Sequence, residues 1–457
     1  MTTTPALRRL DRERDGRAAA PIRIAHLGPG NFFRAHQAWY TEHAPDAADW
    51  GIAAFAGRRG AVARELAAQD GLYTLLVRAA DGDHPEVVSA VAAVSAELDD
   101  WRRCFARPEL ALVTTTVTEA GYRRGPDGGL DRTDPDVTAD IAALRSDGIA
   151  ADVVTAPGKL VLGLAVRRGD GLPGVAVVPC DNVPDNGAMA ARVVGELATA
   201  ADPDLAAWIT EHVTFVTTMV DRITPRTTDD DRDAVRDRAG VDDPVPVVTE
   251  PYVEWVLSGE FRHGRPRWED VGARFVDDVV PWEHRKLWLL NGSHSLMAYA
   301  GTLRGHETVE QAISDPVVRG WVEQWWDDAA RNLPLPLEEI AAYRAALLER
   351  YANPRIRHLL AQIAADGSQK VPIRILPTVR ADLAAGHVPT GAARVLAAWV
   401  CHLRGRGAPV ADVAADEFTA LAAGDLDDAV SRVLTRLGAD DPRLLAVVTD
   451  LARELGG

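Results

Sequence analysis

An apolar segment that is broken by two closely spaced glycines and then followed by a helix constrains the fold of this chain more than any other feature. Ile22 to Leu27 is predicted to be a strand, and Gly28-Pro29-Gly30 interrupts it before a helix predicted from about Phe32 to His43. A second strand, Ile52 to Ala56, follows at the distance typical of a βαβ unit. This order of elements predicts a parallel sheet with helices packed on it.

The same alternation continues through the first part of the chain. Further strands are predicted at Leu110 to Thr115, Leu160 to Val166 and Val175 to Val178, and helices at Val62 to Ala68 and Ala188 to Ala200. After about Pro281 the pattern is helical, with breaks at residues 333–337 and at Asn353-Pro354. We therefore predict an α/β, Rossmann-like dinucleotide-binding domain over residues 1–280 and a mostly α-helical domain over residues 281–457.

Charge and cysteine usage limit the classes of partner. The chain has 50 basic and 67 acidic residues and a net charge of -17, which disfavours nucleic acid and anionic membranes and favours a small-molecule substrate. Its three cysteines, Cys104, Cys180 and Cys401, are far apart and suit a reducing compartment rather than a disulfide framework or a thiolate zinc site. Residues 1–21 lack the apolar core of a secretory signal, and the apolar runs are too short to span a membrane, so a cytoplasmic location is expected.

The glycine-rich turn favours a dinucleotide site over a purely structural turn. Gly28 and Gly30 allow the backbone to turn tightly and to approach a pyrophosphate. The usual fingerprint has a third glycine, which Phe33 replaces here, so the motif alone is weak and its strand-turn-helix context supports it.

The choice between NAD and NADP stays open. In an NAD site an acidic residue usually follows the second strand and binds the ribose 2′-hydroxyl. This chain has Gly57-Arg58-Arg59 there. The arginines either accommodate a 2′-phosphate or are solvated surface residues.

A second candidate site lies in the segment Arg285 to His294, which sets a lysine, an asparagine and a histidine into an otherwise apolar stretch. In an α-helix, at about 100° per residue, Asn291 lies about 140° and His294 about 80° around from Lys286, so the three share one broad face. Desolvation by the neighbouring tryptophan and leucines favours a neutral lysine amine, which can take a proton from an alcohol. Asn291 can donate a hydrogen bond to an alkoxide, and His294 can donate and accept. The alternative is a helix end whose Asn and His satisfy only backbone groups.

Several motifs in a fixed order resemble one known family. They are Gly28-Pro29-Gly30-Asn31-Phe32-Phe33-Arg34-Ala35-His36, Thr116-Val117-Thr118-Glu119-Ala120-Gly121-Tyr122, Cys180-Asp181-Asn182, Met219-Val220-Asp221-Arg222-Ile223-Thr224-Pro225 and the Lys286 segment. In this order they are similar to the polyol-specific long-chain dehydrogenases, the family of mannitol 2-dehydrogenase and fructuronate reductase. The similarity extends from about Ile22 to beyond Arg374.

The resemblance implies an enzyme that transfers hydride, without a metal, between a nicotinamide and the secondary alcohol or ketone of an open-chain sugar derivative. Lys286 would be the general base in oxidation and the general acid in reduction. Asn291 and Asn182 would donate to the developing alkoxide, and Glu283 would help to pass the proton to solvent. Substrate hydroxyls would be bound by His294 and Asp221, and residues 281–457 would form the substrate-binding domain.

The expected cofactor is NAD, with NADP possible. The residues expected to bind it are Gly28, Gly30, Asn31, Phe33, Arg34, Arg58 and Glu119. No metal site is expected, and the family resemblance favours a monomer. For Asp221 and Arg222, a structural ion pair is the alternative to substrate binding, and Cys180 is expected to be a core residue rather than a catalytic one.

The substrate depends on a third cluster, Asp366 to Arg374. Lys370 matches a substrate-contacting lysine of the family, whereas Gln362 stands where mannitol dehydrogenases carry an arginine. Arg374 completes a K-x-P-x-R pattern similar to that of fructuronate reductases and could bind a carboxylate, or it could be a surface or helix-capping residue. D-mannitol and D-fructose are the default pair, with D-mannonate and D-fructuronate, or D-arabinitol, as alternatives.

A function of a different class is a nucleotide-binding sensor or scaffold without catalysis, since a fold does not determine a function. Such a protein would need Gly28 and Gly30 but would have no use for Lys286, Asn291 and Asp221 together.

Overall fold

The computed structural model describes residues 7–57 and 60–456, and the chain divides into two compact units, Met1–Val280 and Pro281–Gly457. Among the described residues, all strands lie in the first unit. They are β1 (Ile22–Leu27), β2 (Gly51–Phe55), β3 (Tyr73–Ala79), β4 (Gly82–Val88), β5 (Val91–Ser95), β6 (Leu112–Thr115), β7 (Ala176–Pro179), β8 (Thr214–Phe215), β9 (Thr217–Asp221), β10 (Val247–Thr249), β11 (Glu254–Ser258) and β12 (Arg274–Phe275).

The main sheet has six strands in the order β5-β2-β1-β6-β7-β8, and every pair in it is parallel. When its six strands are numbered 1 to 6 in chain order, the sheet reads 3-2-1-4-5-6, which is the order of the doubly wound dinucleotide-binding fold. The strand order reverses between β1 and β6, where neighbouring connections leave toward opposite sides and open a crevice at the carboxyl ends of the strands. The predicted Rossmann-like α/β domain is therefore confirmed.

Two smaller sheets were not predicted from the sequence. One has the order β10-β3-β4 and the other the order β12-β11-β9, and both mix parallel with antiparallel pairs. Their strands are short or only partly apolar, so their patterns resemble those of loops.

Helices of the first unit pack on both faces of the main sheet, and an apolar core lies on each side of it. The α-helices are Arg12–Asp15, Asn31–Ala35, Gln37–His43, Ala61–Ala67, Leu98–Phe105, Pro135–Asp147, Ala156–Gly169, Asn186–Ala201, Pro203–His212 and Asp229–Ala239. Short 3-10 turns lie at Ala47–Asp49, Glu119–Tyr122, Gly148–Ala150 and Trp268–Val271.

The prediction of a strand at Leu160 to Val166 is wrong, because this segment lies inside the helix Ala156–Gly169. The Thr155 side chain caps the helix by accepting a hydrogen bond from the Gly158 N–H at 2.9 Å, and Pro157 occupies its first turn. Leucine and valine residues are buried on several sides of this helix, so the apolar run has no helical period in the sequence.

The second unit is helical, as predicted. Its α-helices are Val280–Arg285, which begins at the boundary, Ser293–Leu296, Val309–Ser314, Pro316–Ala330, Leu337–Tyr351, Leu360–Ala364, Gly367–Arg374, Leu376–Ala384, Thr390–Leu403, Ala415–Leu421, Leu426–Arg436 and Pro442–Glu454, with π-helices at Lys286–Gly292 and Met297–Gly301. The helix Thr390–Leu403 is buried over almost its whole circumference and forms the centre of this unit. Within residues 7–57 and 60–456, no helix is long and apolar enough to cross a membrane.

Candidate active site

The carboxyl end of β1 leads into a tight turn that only glycine can make. Gly28 has φ +104°, and a Cβ atom on it would lie 2.2 Å from the backbone oxygen of Thr116, which follows β6. The Gly28 N–H donates to the Phe55 carbonyl at 2.9 Å, so the turn is tied to the ends of both neighbouring strands. Gly28 thus lets two backbone segments approach at the reversal point of the sheet, where dinucleotides bind in this fold.

The side chains just after the turn contact other parts of the first unit. Asn31 donates to Thr227 Oγ1 at 3.1 Å and accepts from Arg34 Nη2 at 2.7 Å. Arg34 is buried, also donates to the Val245 carbonyl, and has its pKa lowered to about 10 by burial. Phe33 is fully buried. Any contact of these three residues with a cofactor would therefore come mainly from their backbones.

The two remaining predicted cofactor residues differ in what the structure describes. Arg58 lies outside the described residues. Glu119 is exposed in the 3-10 turn after β6, where Arg124 donates a hydrogen bond to its carboxylate. Its predicted cofactor contact stays a prediction.

The carboxyl end of β7 carries Cys180, Asp181 and Asn182. Cys180 is buried and its pKa is raised by burial, which fits the expected core role. Asp181 accepts hydrogen bonds from the Val117 N–H at 2.6 Å, from the Thr115 hydroxyl and from Tyr122, and burial raises its pKa to about 7. This carboxyl group joins the ends of β6 and β7, and it places exposed Asn182 just beyond the sheet.

Asp221 ends β9 and pairs in register with Glu254 of β11. It is 3% exposed. The neighbouring Arg222 donates to the backbone oxygens of Ala35 and Glu250 and lies over the Trp39 ring, so it ties β9 to the helix after the turn.

The Lys286 segment is a π-helix, Lys286–Gly292, rather than the α-helix assumed from its sequence. In a π-helix the hydrogen bonds span five residues instead of four, so each residue turns through less than the about 100° of an α-helix. The predicted angles from Lys286 are therefore wrong, and residues five apart, such as Lys286 and Asn291, lie more nearly in line. Single π-turns in proteins occur frequently at functional sites.

Side chains from other helices of the second unit brace four successive carbonyls of this π-helix. Trp325 Nε1 donates to the Trp288 oxygen and Trp326 Nε1 to the Leu289 oxygen, each at 2.9 Å. The Leu290 oxygen accepts from Tyr351 at 3.2 Å, and the Asn291 oxygen accepts from Arg374 at 3.2 Å. These donors satisfy carbonyls whose ordinary α-helical partners are displaced, which stabilises the wider turn.

His294 follows on the next helical turn and is buried. Its ring lies 5.0 Å from the Tyr351 ring and 5.1 Å from the His358 ring, measured between centroids. The sequence did not single out Tyr351 or His358, because both are more than fifty positions away in the chain and carry no motif of their own. Glu283 is half-buried on the preceding helix.

Lys370 and Arg374 share one face of the helix Gly367–Arg374, where burial lowers the pKa of each. Lys370 Nζ donates to the backbone oxygens of Ile363 and Ala365, at 3.2 and 2.5 Å. Arg374 uses Nη1 for the Asn291 oxygen and for Ser295 Oγ at 3.1 Å, and its buried Nε has no partner among the described residues. The structure thus brings Arg374 to the Lys286 segment, and Gln362 is exposed on another helix.

The described residues contain no group of three or more histidine, cysteine, aspartate or glutamate side chains arranged to hold a metal ion. Metal independence stays a prediction.

Comparison with known proteins identifies the family. The mannitol dehydrogenase Rossmann domain matches residues 22–270, and the mannitol dehydrogenase C-terminal domain matches residues 278–440. This chain belongs to the mannitol dehydrogenase family. The predicted resemblance is confirmed.

Individual members of the mannitol dehydrogenase family differ in substrate. The chain is 40% identical to D-mannonate oxidoreductase of Escherichia coli K12 over 395 residues, which is 84% of this chain and 80% of that protein. A D-sorbitol dehydrogenase crystal structure matches with a TM-score of 0.89 at 29% identity, covering 99% of this chain and 96% of that one. Pseudomonas fluorescens mannitol 2-dehydrogenase, solved with NAD and D-mannitol, matches with a TM-score of 0.75 at 32% identity, covering 96% and 92%.

Proposed function

We propose that this protein is an NAD-dependent oxidoreductase that interconverts a secondary alcohol and a ketone in an open-chain sugar derivative. The observation that supports the proposal is the braced π-helix, whose wider turn brings residues five apart, such as Lys286 and Asn291, closer to one line than an α-helix would, within the domain that matches the family's C-terminal domain. An amine and an amide donor on one side of a helix suit the two tasks of alcohol oxidation, removal of a proton and stabilisation of the oxyanion.

The first unit fits a dinucleotide. Gly28 and Gly30 leave the reversal point of the main sheet without side chains, and a Cβ atom at residue 28 would fill the space against Thr116. Gly28, Gly30 and the backbone of Asn31 would hold the pyrophosphate, and bound NAD would accept or supply the hydride. NADP is the alternative cofactor, to be decided by assay.

In the oxidation direction, neutral Lys286 takes the proton of the substrate hydroxyl while hydride leaves the carbon that carries this hydroxyl. Asn291 donates a hydrogen bond to the oxygen as negative charge develops, and the resemblance implies the same role for Asn182. Such donors contribute roughly 3 to 4 kcal/mol each when preorganised. Glu283 then passes the proton to solvent, and reduction runs the same steps in reverse.

The substrate is proposed to carry a carboxylate, with D-mannonate and D-fructuronate as the pair, ahead of the default D-mannitol and D-fructose. Arg374 makes no ion pair with a carboxylate among the described residues, although burial penalises its charged form, whereas the charges of Asp366 and Asp412 partly offset the burial of Lys370. A partly buried cation is costly without a counter-charge, and an anionic substrate would supply one. The Nε and Nη2 edge of Arg374 can bind a carboxylate with two parallel hydrogen bonds.

The test is a steady-state assay of purified protein with NAD or NADP against D-mannitol, D-mannonate, D-arabinitol, D-fructose and D-fructuronate, following nicotinamide absorbance. Lys286→Ala is expected to abolish turnover while leaving NAD affinity, measured by calorimetry, unchanged. Undiminished oxidation by this variant at alkaline pH would exclude Lys286 as the base. NAD binding without turnover on any substrate would favour the sensor alternative. The cytoplasmic location and monomeric state stay predictions.

A further inference from the structure

A buried histidine lies directly beneath the glycine turn. His26 is on β1, two residues before Gly28, and is 0% exposed. Its Nδ1 lies 2.7 Å from Thr114 Oγ1, and its Nε2 lies 3.0 Å from the Gly28 carbonyl oxygen and 3.2 Å from Thr116 Oγ1. Main-sheet strands that are buried on both faces normally carry apolar residues, so a histidine here needs a reason.

The hydrogen bonds define the tautomer of His26. A carbonyl oxygen can only accept, so the contact with Gly28 requires the proton on Nε2, and Nδ1 then accepts from the Thr114 hydroxyl. Burial lowers the pKa of His26 to about 3, which keeps the ring neutral near pH 7. The histidine is therefore a fixed donor to the turn.

Three donors converge on the Gly28 oxygen. Besides His26 Nε2, it accepts from Thr116 Oγ1 at 2.6 Å and from the Gly30 N–H at 2.7 Å. Together they set the orientation of the Gly28 peptide, and Pro29 restricts the next φ angle. The conformation of the turn is thus determined by β1 and by the residue after β6.

The same imidazole explains the missing third glycine. In the usual fingerprint that glycine allows the helix to pack closely on the strand. Here the Phe33 ring fills this space and lies flat on the His26 ring, with centroids 3.5 Å apart and planes inclined by 11°. Phe33 is fully buried in the apolar core on this face of the sheet.

We propose that His26 is a positioning residue of the cofactor turn: its ring supports Phe33 in place of the third glycine, and its Nε2–H holds the Gly28 peptide in the orientation that binds NAD. The inference rests on the proposed function, because it requires that NAD binds at this turn. This role requires two properties of histidine together, an aromatic ring that stacks on Phe33 and an N–H that donates to the Gly28 oxygen. Phenylalanine can stack but cannot donate.

His26→Phe separates the two properties, because it keeps an aromatic surface for Phe33 and removes the donor to Gly28. Loss of a buried hydrogen bond should raise the Kd for NAD by about tenfold or more. At saturating NAD, kcat and the KM for the sugar substrate should stay within about twofold of wild type, since the Lys286 segment is untouched. Calorimetry gives the Kd, and the steady-state assay gives the kinetic constants.

Two further variants keep the test decisive if His26→Phe folds poorly. Thr116→Val preserves shape and removes one donor to the same oxygen, so it should raise the NAD Kd by about threefold. His402→Phe makes the same exchange at a buried histidine of the second unit, and its NAD Kd should equal that of wild type. Nitrogen NMR of wild-type protein labelled in its histidine rings should show the Nε2–H tautomer for His26.

Wild-type NAD affinity in both His26→Phe and Thr116→Val would overturn the inference, as would an Nδ1–H tautomer. Equal loss of kcat and NAD affinity in His26→Phe with a lowered Tm would show a purely structural residue. If wild-type protein itself binds neither NAD nor NADP, the proposed function fails, and the inference fails with it.

Discussion

Replacing Gly292 with alanine is expected to damage both the stability and the activity of this protein, whereas most helical Gly→Ala changes stabilise. Gly292 ends the π-helix that carries Lys286, and it is buried. A Cβ atom there would lie 2.6 Å from Trp325 Cζ2 and 2.8 Å from Trp325 Nε1. Trp325 is 0% exposed, so its indole ring has no room to retreat without moving its neighbours.

The magnitude follows from three contributions. Overpacking of a dense core costs about 1–3 kcal/mol. Displacement of the indole also weakens its hydrogen bond to the Trp288 oxygen, at about 1 kcal/mol. The higher helix propensity of alanine offsets about 1 kcal/mol of this loss of stability. The net loss is about 1–3 kcal/mol, which lowers the Tm of a unit of this size by roughly 3–10 °C.

Activity should fall more than stability, because the clash lies next to Asn291. A shift of about 1 Å in a catalytic group can cost about a hundredfold in rate. We expect kcat to fall at least tenfold, by steady-state assay, with the Kd for NAD unchanged. Calorimetric Tm and kcat measured on one preparation allow the two effects to be compared.

Gly320→Ala is the matched control. Gly320 lies in the helix Pro316–Ala330 of the same unit, and a Cβ atom there would have no neighbour within 4 Å. This variant should gain about 0.5–1 kcal/mol with kcat unchanged. If Gly292→Ala raises the Tm as Gly320→Ala does, or keeps the wild-type kcat, then Trp325 does not pack against Gly292 closely enough to exclude a Cβ atom.

Three further predictions concern other parts of the molecule. Arg374→Leu also removes a donor to the Asn291 oxygen and should lower kcat for both ketones, but it should raise the KM for D-fructuronate by at least tenfold and that for D-fructose much less; equal KM increases would contradict a carboxylate contact. Burial raises the pKa of Asp181 to about 7 from an ordinary value of 3.8, so its contribution to stability is present below about pH 4 and is lost as pH rises through 7. Melting curves at several pH values should show this decline in wild type and a smaller one in Asp181→Asn; parallel curves would refute the shift. Gly28→Ala should abolish NAD binding, measured by calorimetry, because its Cβ would meet the Thr116 oxygen; retained affinity would refute the close approach.

Local sequence was sufficient to predict the elements whose residue pattern reflects a short apolar run or a single turn. β1, the Gly28 turn and β2 follow from an apolar run, two glycines and the spacing between them, because backbone sterics act over a few residues. The strand predicted at Leu160 to Val166 failed, because burial on several sides removes the periodicity that separates a strand from a helix. The two small sheets were not predicted because their strand pairings, such as that of β3 with β10, join segments that are distant in the sequence.

The sequence by itself determined which residues are present in the proposed catalytic segment, and it placed a lysine, an asparagine and a histidine in an apolar stretch. Only the tertiary structure decided that this stretch is a π-helix, since the donors to its carbonyls come from Trp325, Trp326, Tyr351 and Arg374. Those side chains lie 34 or more positions away from Asn291, and no local pattern records them. Helix type here depends on long-range hydrogen bonds, and so does the direction in which Lys286 and Asn291 point.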